Sequence, residues 1–146
     1  MKIHQLSVFL ENKPGQLTEP CRLLAQGGIN IRTLTLADTE QFGILRLIVS
    51  DWLKGDRLLE EAGYVVNVTE VVAVEVPDRP GGLAELLAVF DNTDINIEYM
   101  YAFTFGRGDT AVMIFRFNQP DAAIERLQAA GINVVGSSEV YSRMET

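Results

Sequence analysis

The sequence predicts an α+β fold made of two ferredoxin-like βαββαβ repeats. The first indication is internal similarity, because residues 11–17 (ENKPGQL) recur as 77–83 (PDRPGGL), and residues 28–31 (GINI) recur as 94–97 (DINI). Both pairs share one offset, since 81 − 15 and 96 − 30 are each 66. The second indication is that each copy alternates strand-like and helix-like segments in the same order. A repeat at fixed spacing indicates two copies of one structural unit.

The first copy opens with a strand, a helix and a second strand. Residues 3–10 are rich in β-branched and aromatic side chains and end at a Pro-Gly turn, which predicts a strand. Residues 16–26 carry apolar side chains at helical spacing, with Pro20 in the first turn and two glycines after the end. Residues 29–36 alternate imperfectly between apolar and polar side chains and are predicted as the second strand.

A hairpin, a helix and a fourth strand complete the first copy. The polar turn 38–41 and the strand 43–49 form the hairpin. Asp51 is a plausible N-cap for a helix over 52–62, which Gly63 ends. A fourth strand over 64–72 follows.

The second copy repeats this order with a small insertion. Strands are predicted at 71–76, 95–104, 110–117 and 132–141, with helices at 83–90 and from 118 to 130. Pro120 suits a first helical turn, and Gly131 ends the second helix as Gly63 ends its counterpart. That offset is 131 − 63 = 68, so the hairpin of the second copy, around residues 106–109, carries two extra residues.

The junction between the copies contains no linker. Residues 64–76 include no glycine or proline, and this segment can be both the last strand of one copy and the first strand of the next. We therefore assign repeat 1 to residues 1–70 and repeat 2 to 71–146, sharing a continuous junction strand. We expect one long antiparallel sheet with the helices on one face. The remaining sheet face and the strand edges favour a homodimer.

Composition excludes several classes of function. The net charge of −8, with basic residues scattered along the chain, argues against direct nucleic-acid binding. A single cysteine and a single histidine leave no intramolecular disulfide and no cluster of metal ligands, so we expect neither a metal nor a cofactor. No segment has the length and apolarity of a signal peptide or membrane span, which favours a cytoplasmic protein without membrane contact.

Catalytic motifs are also missing from the sequence. The serines have no histidine at any spacing typical of a catalytic triad, and the carboxylates do not pair at metal-ligand spacing. No glycine-rich nucleotide loop of the Walker or dinucleotide type is present. We therefore expect a non-enzymatic protein.

The repeated motifs resemble the ACT domain, a family of small ligand-binding modules that regulate amino-acid metabolism. The resemblance rests on the order strand, Pro-Gly turn, helix and Gly-x-Asn-Ile strand start, and it covers essentially the whole chain in both copies. It implies a regulatory protein that binds a free amino acid at the interface between its two repeats. The first copy also resembles the start of the acetolactate synthase small subunit, and a metabolic enzyme is therefore a possible partner.

The candidate ligand-binding residues lie on the two turns and the two strand starts. The resemblance implies that the turn of one repeat faces the asparagine-bearing strand of the other. The turn residues are Asn12, Lys13, Pro14, Gly15, Gln16 and Leu17 in repeat 1 and Asp78, Arg79, Pro80, Gly81, Gly82 and Leu83 in repeat 2, and the strand residues are Asn30, Ile31, Asn96 and Ile97. Glycine lets a ligand approach the turn backbone, the helix-start amides suit a carboxylate, and an asparagine amide both donates and accepts.

The two copies differ, and each motif also has a structural interpretation. Asn12 stands where repeat 2 has Asp78, so the two sites should be unequal, with the second turn favoured for an ammonium group. Alternatively, the turns and asparagines serve folding alone, and the chain is a ligand-free interaction module or a regulatory subunit of an amino-acid biosynthetic enzyme or of a transcription regulator. Cys21 and His4 are interpreted as packing residues, and the alternating aromatic side chains in 99–105 as core or interface.

Overall fold

The computed structural model describes residues 1–39 and 41–144, with the side chains of residues 104–107, 143 and 144 left out. The chain contains seven strands and five helices in these described residues. The strands are β1 Ile3–Glu11, β2 Ile31–Asp38, β3 Phe42–Val49, β4 Val66–Pro77, β5 Ile97–Arg107, β6 Thr110–Phe117 and β7 Val134–Val135. The helices are α1 Thr18–Gln26, α2 Trp52–Glu61, α3 Gly82–Ala88, α4 Pro120–Ala129 and α5 Ser137–Met144. The predicted α+β class with two βαββαβ repeats is confirmed.

The chain divides into two compact units. The first unit is His4–Thr69, and the second is Met1–Ile3 together with the chain from Glu70 onward. Strand β4 crosses this division without a break. Residues 66–69 of β4 belong to the first unit, and residues 70–77 belong to the second.

The first unit is an antiparallel sheet in the order β2-β3-β1-β4. β1 pairs with β3 from Leu6↔Leu47 to Glu11↔Phe42, and β2 pairs with the other side of β3. Leucine and valine side chains from one face of this sheet pack with helical residues around Leu24 and Leu59. Asp51 caps α2 as predicted, because its Oδ1 accepts a hydrogen bond from the Lys54 amide at 3.2 Å.

The second unit repeats this arrangement in the order β7-β4-β6-β5. Its core contains Phe115 and Phe117, whose rings stack with centroids 5.5 Å apart, and Leu127 of α4. The second helix of each repeat ends in the same way. Gly63 and Gly131 adopt left-handed φ angles of 95° and 76°, and the next residue donates to the carbonyl five positions earlier, Tyr64 to Leu59 and Ile132 to Leu127.

The prediction for the last element of the chain is wrong. A strand was expected over 132–141, but β7 covers only Val134–Val135, and α5 begins at Ser137. The Val140 amide donates to the Gly136 carbonyl at 2.9 Å, which is a helical hydrogen bond. Val140 is fully buried on this helix, so its apolar character reflects helical packing rather than a continuing strand.

Part of the sheet face away from the helices is buried in each unit. In the first unit, Gln5, Ser7, Thr33 and Ile48 are buried, and the Gln5 Nε2 atom donates to Ser7 Oγ at 3.1 Å. In the second unit, Val71, Ala73, Val112 and Ile114 are buried. The homodimer expected from the sheet faces and strand edges stays a prediction.

Candidate functional site

Both Pro-Gly motifs fold into the same type of turn. Gly15 and Gly81 have φ angles of +86° and +87°, the left-handed conformation that glycine adopts without strain. In each turn the residue after the glycine donates to the residue before the proline, Gln16 to Lys13 at 3.3 Å and Gly82 to Arg79 at 3.0 Å. Proline followed by a left-handed glycine is typical of a type II turn. The repeat is therefore preserved in backbone conformation as well as in sequence.

The amides that can receive an anion lie one residue further along than the turns themselves. The Gln16 and Gly82 amides, which the sequence nominates, close the turns and are already hydrogen-bonded. Neither N-cap residue, Leu17 of α1 or Gly81 of α3, caps its helix with a side chain. The first-turn amides of these helices therefore depend on solvent or a ligand for their hydrogen bonds.

Gly82 is needed for packing inside the second unit. It is buried, and a Cβ atom at this position would collide with the carbonyl oxygen of Pro77. Gln16 occupies the equivalent position of the first repeat, where its side chain is half-buried. The missing side chain of Gly82 thus lets α3 begin directly against the end of β4.

Each turn is anchored to the hairpin of its own repeat. The Asn12 amide donates to Gln41 O at 3.0 Å, and the Asp78 amide donates to Asp109 O at 2.7 Å, so the contact is duplicated. The side chains differ, however. The Asn12 Nδ2 atom donates to Asp38 Oδ2 and to Thr39 O, both at 3.4 Å. The Asp78 carboxylate is exposed and has no hydrogen bond within the described part of the chain.

An ion pair braces the second turn alone. Arg79 Nη1 and Nη2 donate to the two carboxylate oxygens of Glu85 at 3.1 and 2.7 Å, a bidentate arrangement. The Arg79 guanidinium lowers the pKa of Glu85 through this hydrogen bond and its charge. At the equivalent positions of the first repeat, Lys13 pairs with Glu11, and Glu19 pairs with Arg22. The first repeat therefore has no ion pair that joins the turn to the helix.

The backbones of Asn30 and Asn96 are each held by a reciprocal pair of hydrogen bonds, which we call a clamp. The Asn30 amide donates to Ser50 Oγ at 3.1 Å, and the Ser50 amide returns a bond to Asn30 O at 3.0 Å. The Asn96 amide donates to Asn118 Oδ1 at 2.8 Å, and the Asn118 amide donates to Asn96 O at 3.1 Å. Both asparagine side chains are exposed, and neither is hydrogen-bonded within the described residues. The backbone of each asparagine is thus held in place, and its side-chain amide is exposed to solvent.

A β-bulge follows each of these asparagines. The register of β2 against β3 shifts between Ile31 and Thr33, and that of β5 against β6 shifts between Ile97 and Tyr99. The two shifts are separated by the same 66 residues as the motifs, since 97 − 31 = 66. Bulges redirect side chains and are common beside functional sites.

Within one repeat, the turn and the asparagine lie at opposite ends of the sheet. The first turn lies beside the β2–β3 hairpin through its contacts to Asp38 and Gln41, whereas Asn30 precedes the other end of β2. The second repeat has the same arrangement. An eight-residue strand spans roughly 25 Å, which is much longer than an amino acid. A site that uses both motifs must therefore combine two different repeats.

The hollows near the two turns differ in size. A hollow of about 60 Å³ beside the first turn is bordered by Asn12, Leu17 and Asp38. A cleft of about 240 Å³ beside the second turn is bordered by Pro77, Gly82 and Glu85. A third cleft, of about 460 Å³, lies along α4 in the second unit, where Arg126 donates to Val89 O at 3.2 Å.

The remaining sequence candidates take structural positions. Cys21 is half-buried, and this burial raises the pKa of its thiol, which makes the thiol less reactive. His4 stacks on Trp52 with ring centroids 4.2 Å apart. In the aromatic stripe, Phe103 is buried, whereas the side chain of Phe105 lies outside the described residues.

Neither a metal cluster nor a membrane helix is found in the described residues. No group of three histidine, cysteine, aspartate or glutamate side chains there could hold a metal ion. No helix in the same part of the chain is long and apolar enough to span a bilayer.

Two residues of the candidate site were missed in the sequence. Ser50 and Asn118 complete the clamps, and each directly follows the strand that pairs with the asparagine-bearing strand. They are separated by 118 − 50 = 68 residues, the offset found for the second half of each repeat. Both have short side chains that can accept a hydrogen bond. Two such residues at the 68-residue offset were the pattern in the sequence that could have predicted the clamps.

Two βαββαβ units with matched turns, clamps and bulges define a duplicated α+β module. The ACT domain pair family matches residues 1–144, and the chain belongs to that family. The resemblance inferred from the turn and strand motifs is thereby confirmed.

Sequence relatives include small subunits of acetolactate synthase. The chain is 28% identical over 127 residues to the Mycolicibacterium smegmatis subunit, covering 85% of this chain and 69% of that protein. It is 32% identical over 80 residues to the Buchnera aphidicola subunit, covering 51% of this chain and 49% of that one. The chain is thus related to these small subunits, although it spans only about half of the second one.

Solved structures share the fold. Protein BT0572 from Bacteroides thetaiotaomicron is 39% identical, with a TM-score of 0.88 and coverage of 97% of this chain and 96% of that chain. The ligand-free regulatory subunit of aspartate kinase from Thermus thermophilus is 17% identical, with a TM-score of 0.63 and coverage of 87% and 91%. The similarity to the aspartate kinase subunit is a similarity of fold alone.

Proposed function

We propose that this protein is a non-enzymatic regulator that binds a free amino acid between a Pro-Gly turn of one repeat and the asparagine-bearing strand of another. The observation that carries the proposal is the pair of exposed side-chain amides at Asn30 and Asn96. The backbone of each residue is held by a reciprocal clamp, whereas its side chain makes no hydrogen bond within the described residues. A side-chain amide on a held backbone can therefore both donate to and accept from a ligand without breaking a bond inside the protein.

The chemistry of an amino acid fits these groups. Its carboxylate would accept hydrogen bonds from the uncapped first-turn amides of α1 or α3. Its ammonium would donate to the asparagine Oδ1 atom and, at the second turn, to the Asp78 carboxylate. Asn12 would recognise the ammonium more weakly than Asp78, because its side-chain amide carries no charge. We therefore expect the tighter site to use the second turn.

Binding would act through a change of conformation or association. A ligand shifts an equilibrium only by binding one state more tightly than the other. The first turn lacks the brace from Arg79 to Glu85, so it is the turn with more freedom to order on binding. A metabolic enzyme is the partner that we propose for this response, and the relatives that are small subunits of acetolactate synthase support that choice.

A thermal-shift screen of the twenty amino acids at millimolar concentration tests the proposal. We expect at least one to raise the Tm, because a ligand that binds only the folded state stabilises it by mass action. Asp78→Asn and Asn30→Ala should each weaken that response, whereas Asn67→Ala, which changes an exposed asparagine on β4, should not. If no amino acid raises the Tm, the proposal fails. Capture of a biosynthetic enzyme without any amino-acid response would favour the ligand-free interaction module instead.

A further inference from the structure

The cleft along α4 in the second unit lies between this helix and the loop that leads from α3 to β5. It is bordered by Thr93 and Asp94 of the loop and by Ala122, Glu125 and Arg126 of the helix, and we call it the α4 cleft. Its volume of about 460 Å³ falls within the range of about 300–1,000 Å³ that is typical of small-molecule sites. Neither the Pro-Gly turns nor the candidate asparagines border it, so it is separate from the amino-acid site proposed above.

In the first unit, a lysine of the chain itself reaches across the equivalent position. Helix α2 corresponds to α4 at the offset of 68, since 120 − 52 = 68, and both helices have ten residues. The Lys54 Nζ atom on α2 donates to the Gly27 carbonyl oxygen at 2.8 Å. The residue of α4 that corresponds to Lys54 is Ala122. Repeat 1 therefore supplies its own ammonium group at this place, and repeat 2 does not.

The loop and the helix also pack more closely in the first unit. Leu58 lies so near Gly27 that a Cβ atom on this glycine would collide with the leucine side chain. The corresponding residues of repeat 2 are Thr93 and Arg126. Because Thr93 carries a Cβ atom, the second helix cannot approach the loop in the same way. Arg126 instead donates to Val89 O at 3.2 Å, and the space is left open as the α4 cleft.

Hydrogen bonds hold the loop wall of the cleft in place. The Asn118 Nδ2 and Gln119 Nε2 atoms both donate to the Asp94 carbonyl oxygen, at 3.0 and 3.3 Å. The Thr93 Oγ1 atom accepts a hydrogen bond from the Ile95 amide at 3.3 Å. These bonds fix the backbone of the loop without using the Asp94 carboxylate. The cleft is therefore formed before any ligand binds.

The charge of the α4 cleft is opposite to that of its counterpart. Glu125 stands where repeat 1 has Arg57, and Asp94 stands where repeat 1 has Gly28. Neither carboxylate has a hydrogen bond or an ion pair within the part of the chain that the structure describes. Together with the Arg126 guanidinium, they give the lining a net charge of −1. A single cationic group would neutralise it.

We propose that the α4 cleft binds a free aliphatic amine in its protonated form. The ammonium group would take the place that Lys54 has in repeat 1, donating to the Thr93 carbonyl oxygen and to the Asp94 and Glu125 carboxylates. No described residue donates a hydrogen bond to Thr93 O. The methylene chain would cover the apolar part of the lining, as lysine stems do on protein surfaces. The volume of the cleft favours a free molecule over one lysine side chain of a partner protein.

An NMR titration of the whole chain with pentylamine and with 1-pentanol tests the proposal. Pentylamine carries an ammonium group on a stem like that of lysine, and 1-pentanol is an uncharged molecule of the same chain length. We expect millimolar pentylamine to give saturable shifts at the amides of the loop and of α4, and 1-pentanol to give none. Equal responses to both probes, or no saturable response, would overturn the proposal. Tighter binding of Nα-acetyl-lysine amide than of pentylamine would also overturn it, in favour of a lysine on a partner protein.

Paired substitutions separate the site from general effects of charge. The double variant Asp94→Asn, Glu125→Gln should raise the dissociation constant for pentylamine at least about tenfold. The control, Glu61→Gln with Asp109→Asn, removes two exposed carboxylates outside the cleft and should leave the constant unchanged. Equal weakening in both double variants would show that the amine follows the net charge of the protein, and the proposal would be wrong.

A lysine introduced on α4 tests the comparison with repeat 1. Ala122→Lys copies Lys54 and should weaken pentylamine binding at least about tenfold, because the chain then fills the cleft itself. Gln128→Lys adds the same charge to α4 outside the cleft and should bind pentylamine more tightly than Ala122→Lys does. Far-UV circular dichroism verifies that both variants fold. Equal dissociation constants for the two variants would contradict the proposed place of the ammonium.

The amine site does not depend on the proposed function. The double variant Asn30→Ala, Asn96→Ala should bind pentylamine with wild-type affinity even if it no longer responds to an amino acid. Loss of pentylamine binding in this variant would place the amine at the asparagines and would overturn the separate site.

Discussion

Replacing Gly82 with alanine probes how the second turn is built into its unit. The new Cβ atom would collide with the Pro77 carbonyl oxygen, and a backbone atom cannot swing aside as the end of a long side chain can. Overpacking of this kind costs about 1–3 kcal/mol, and a backbone obstacle places Gly82→Ala toward the upper end. For a chain of this size, that corresponds to a fall in Tm of roughly 5–10 °C.

Two matched variants separate the collision from other effects. Gly15→Ala meets open space but must hold a φ of +86°, so it should cost about 1–2 kcal/mol from backbone strain alone. Gln16→Ala, at the position equivalent to Gly82, has no such constraint and should change stability by less than about 0.5 kcal/mol. Scanning calorimetry of the three variants gives the order of their stabilities. A Gly82→Ala protein as stable as the Gln16→Ala protein would refute the packing role of Gly82.

Three further changes test the cap, the clamp and the ion pair. Asp51→Ala should lower the stability by about 1 kcal/mol, measured by urea unfolding, because the Lys54 amide loses its acceptor; an unchanged midpoint would contradict the cap. Ser50→Ala should cost about 0.5–1.5 kcal/mol by freeing the Asn30 amide, whereas Ser138→Ala serves as an exposed control expected to be neutral. Arg79 lowers the folded-state pKa of Glu85, so the pair stabilises the fold above the ordinary glutamate pKa of about 4.3 and loses this contribution as the pH falls through the lowered value. The Tm difference between wild type and Arg79→Gln should therefore be largest at neutral pH and should narrow in acid, and a difference independent of pH would contradict the ion pair.

Most of the fold could be predicted from the sequence because each element carries its own local signal. The Pro-Gly turns, the Asp51 cap and the glycines at positions 63 and 131 act through their immediate neighbours, so a single sequence reveals them. The element order and the linker-free junction follow from the duplication.

The last element was mispredicted because the duplication was extended too far. The order of the first copy ends in a strand, and the same order predicts a strand over 132–141 in the second, although serines such as Ser137 and Ser138 are common at a helix start. Gly136 separates the short β7 from α5, and its carbonyl accepts the first helical bond of that helix.

The candidate site was only partly predictable. The motifs at Asn30 and Asn96 could be recognised by their repetition, but their clamps depend on pairing between β2 and β3 and between β5 and β6. The role of Gly82 depends on where the end of β4 passes, which no local pattern records. Such contacts form only once the strands have paired into the sheet, so the sequence alone does not reveal them.

Isothermal titration calorimetry with the amino acid that gives the largest thermal shift is the most direct test of the central claim. The wild-type protein should release or absorb heat with a saturable isotherm, and both Asn30→Ala and Asn96→Ala should weaken binding at their respective sites by at least about tenfold. Asn67→Ala should retain wild-type affinity. Undiminished binding in the Asn30→Ala, Asn96→Ala double variant would show that the clamped asparagines do not hold the ligand, and the account would be wrong.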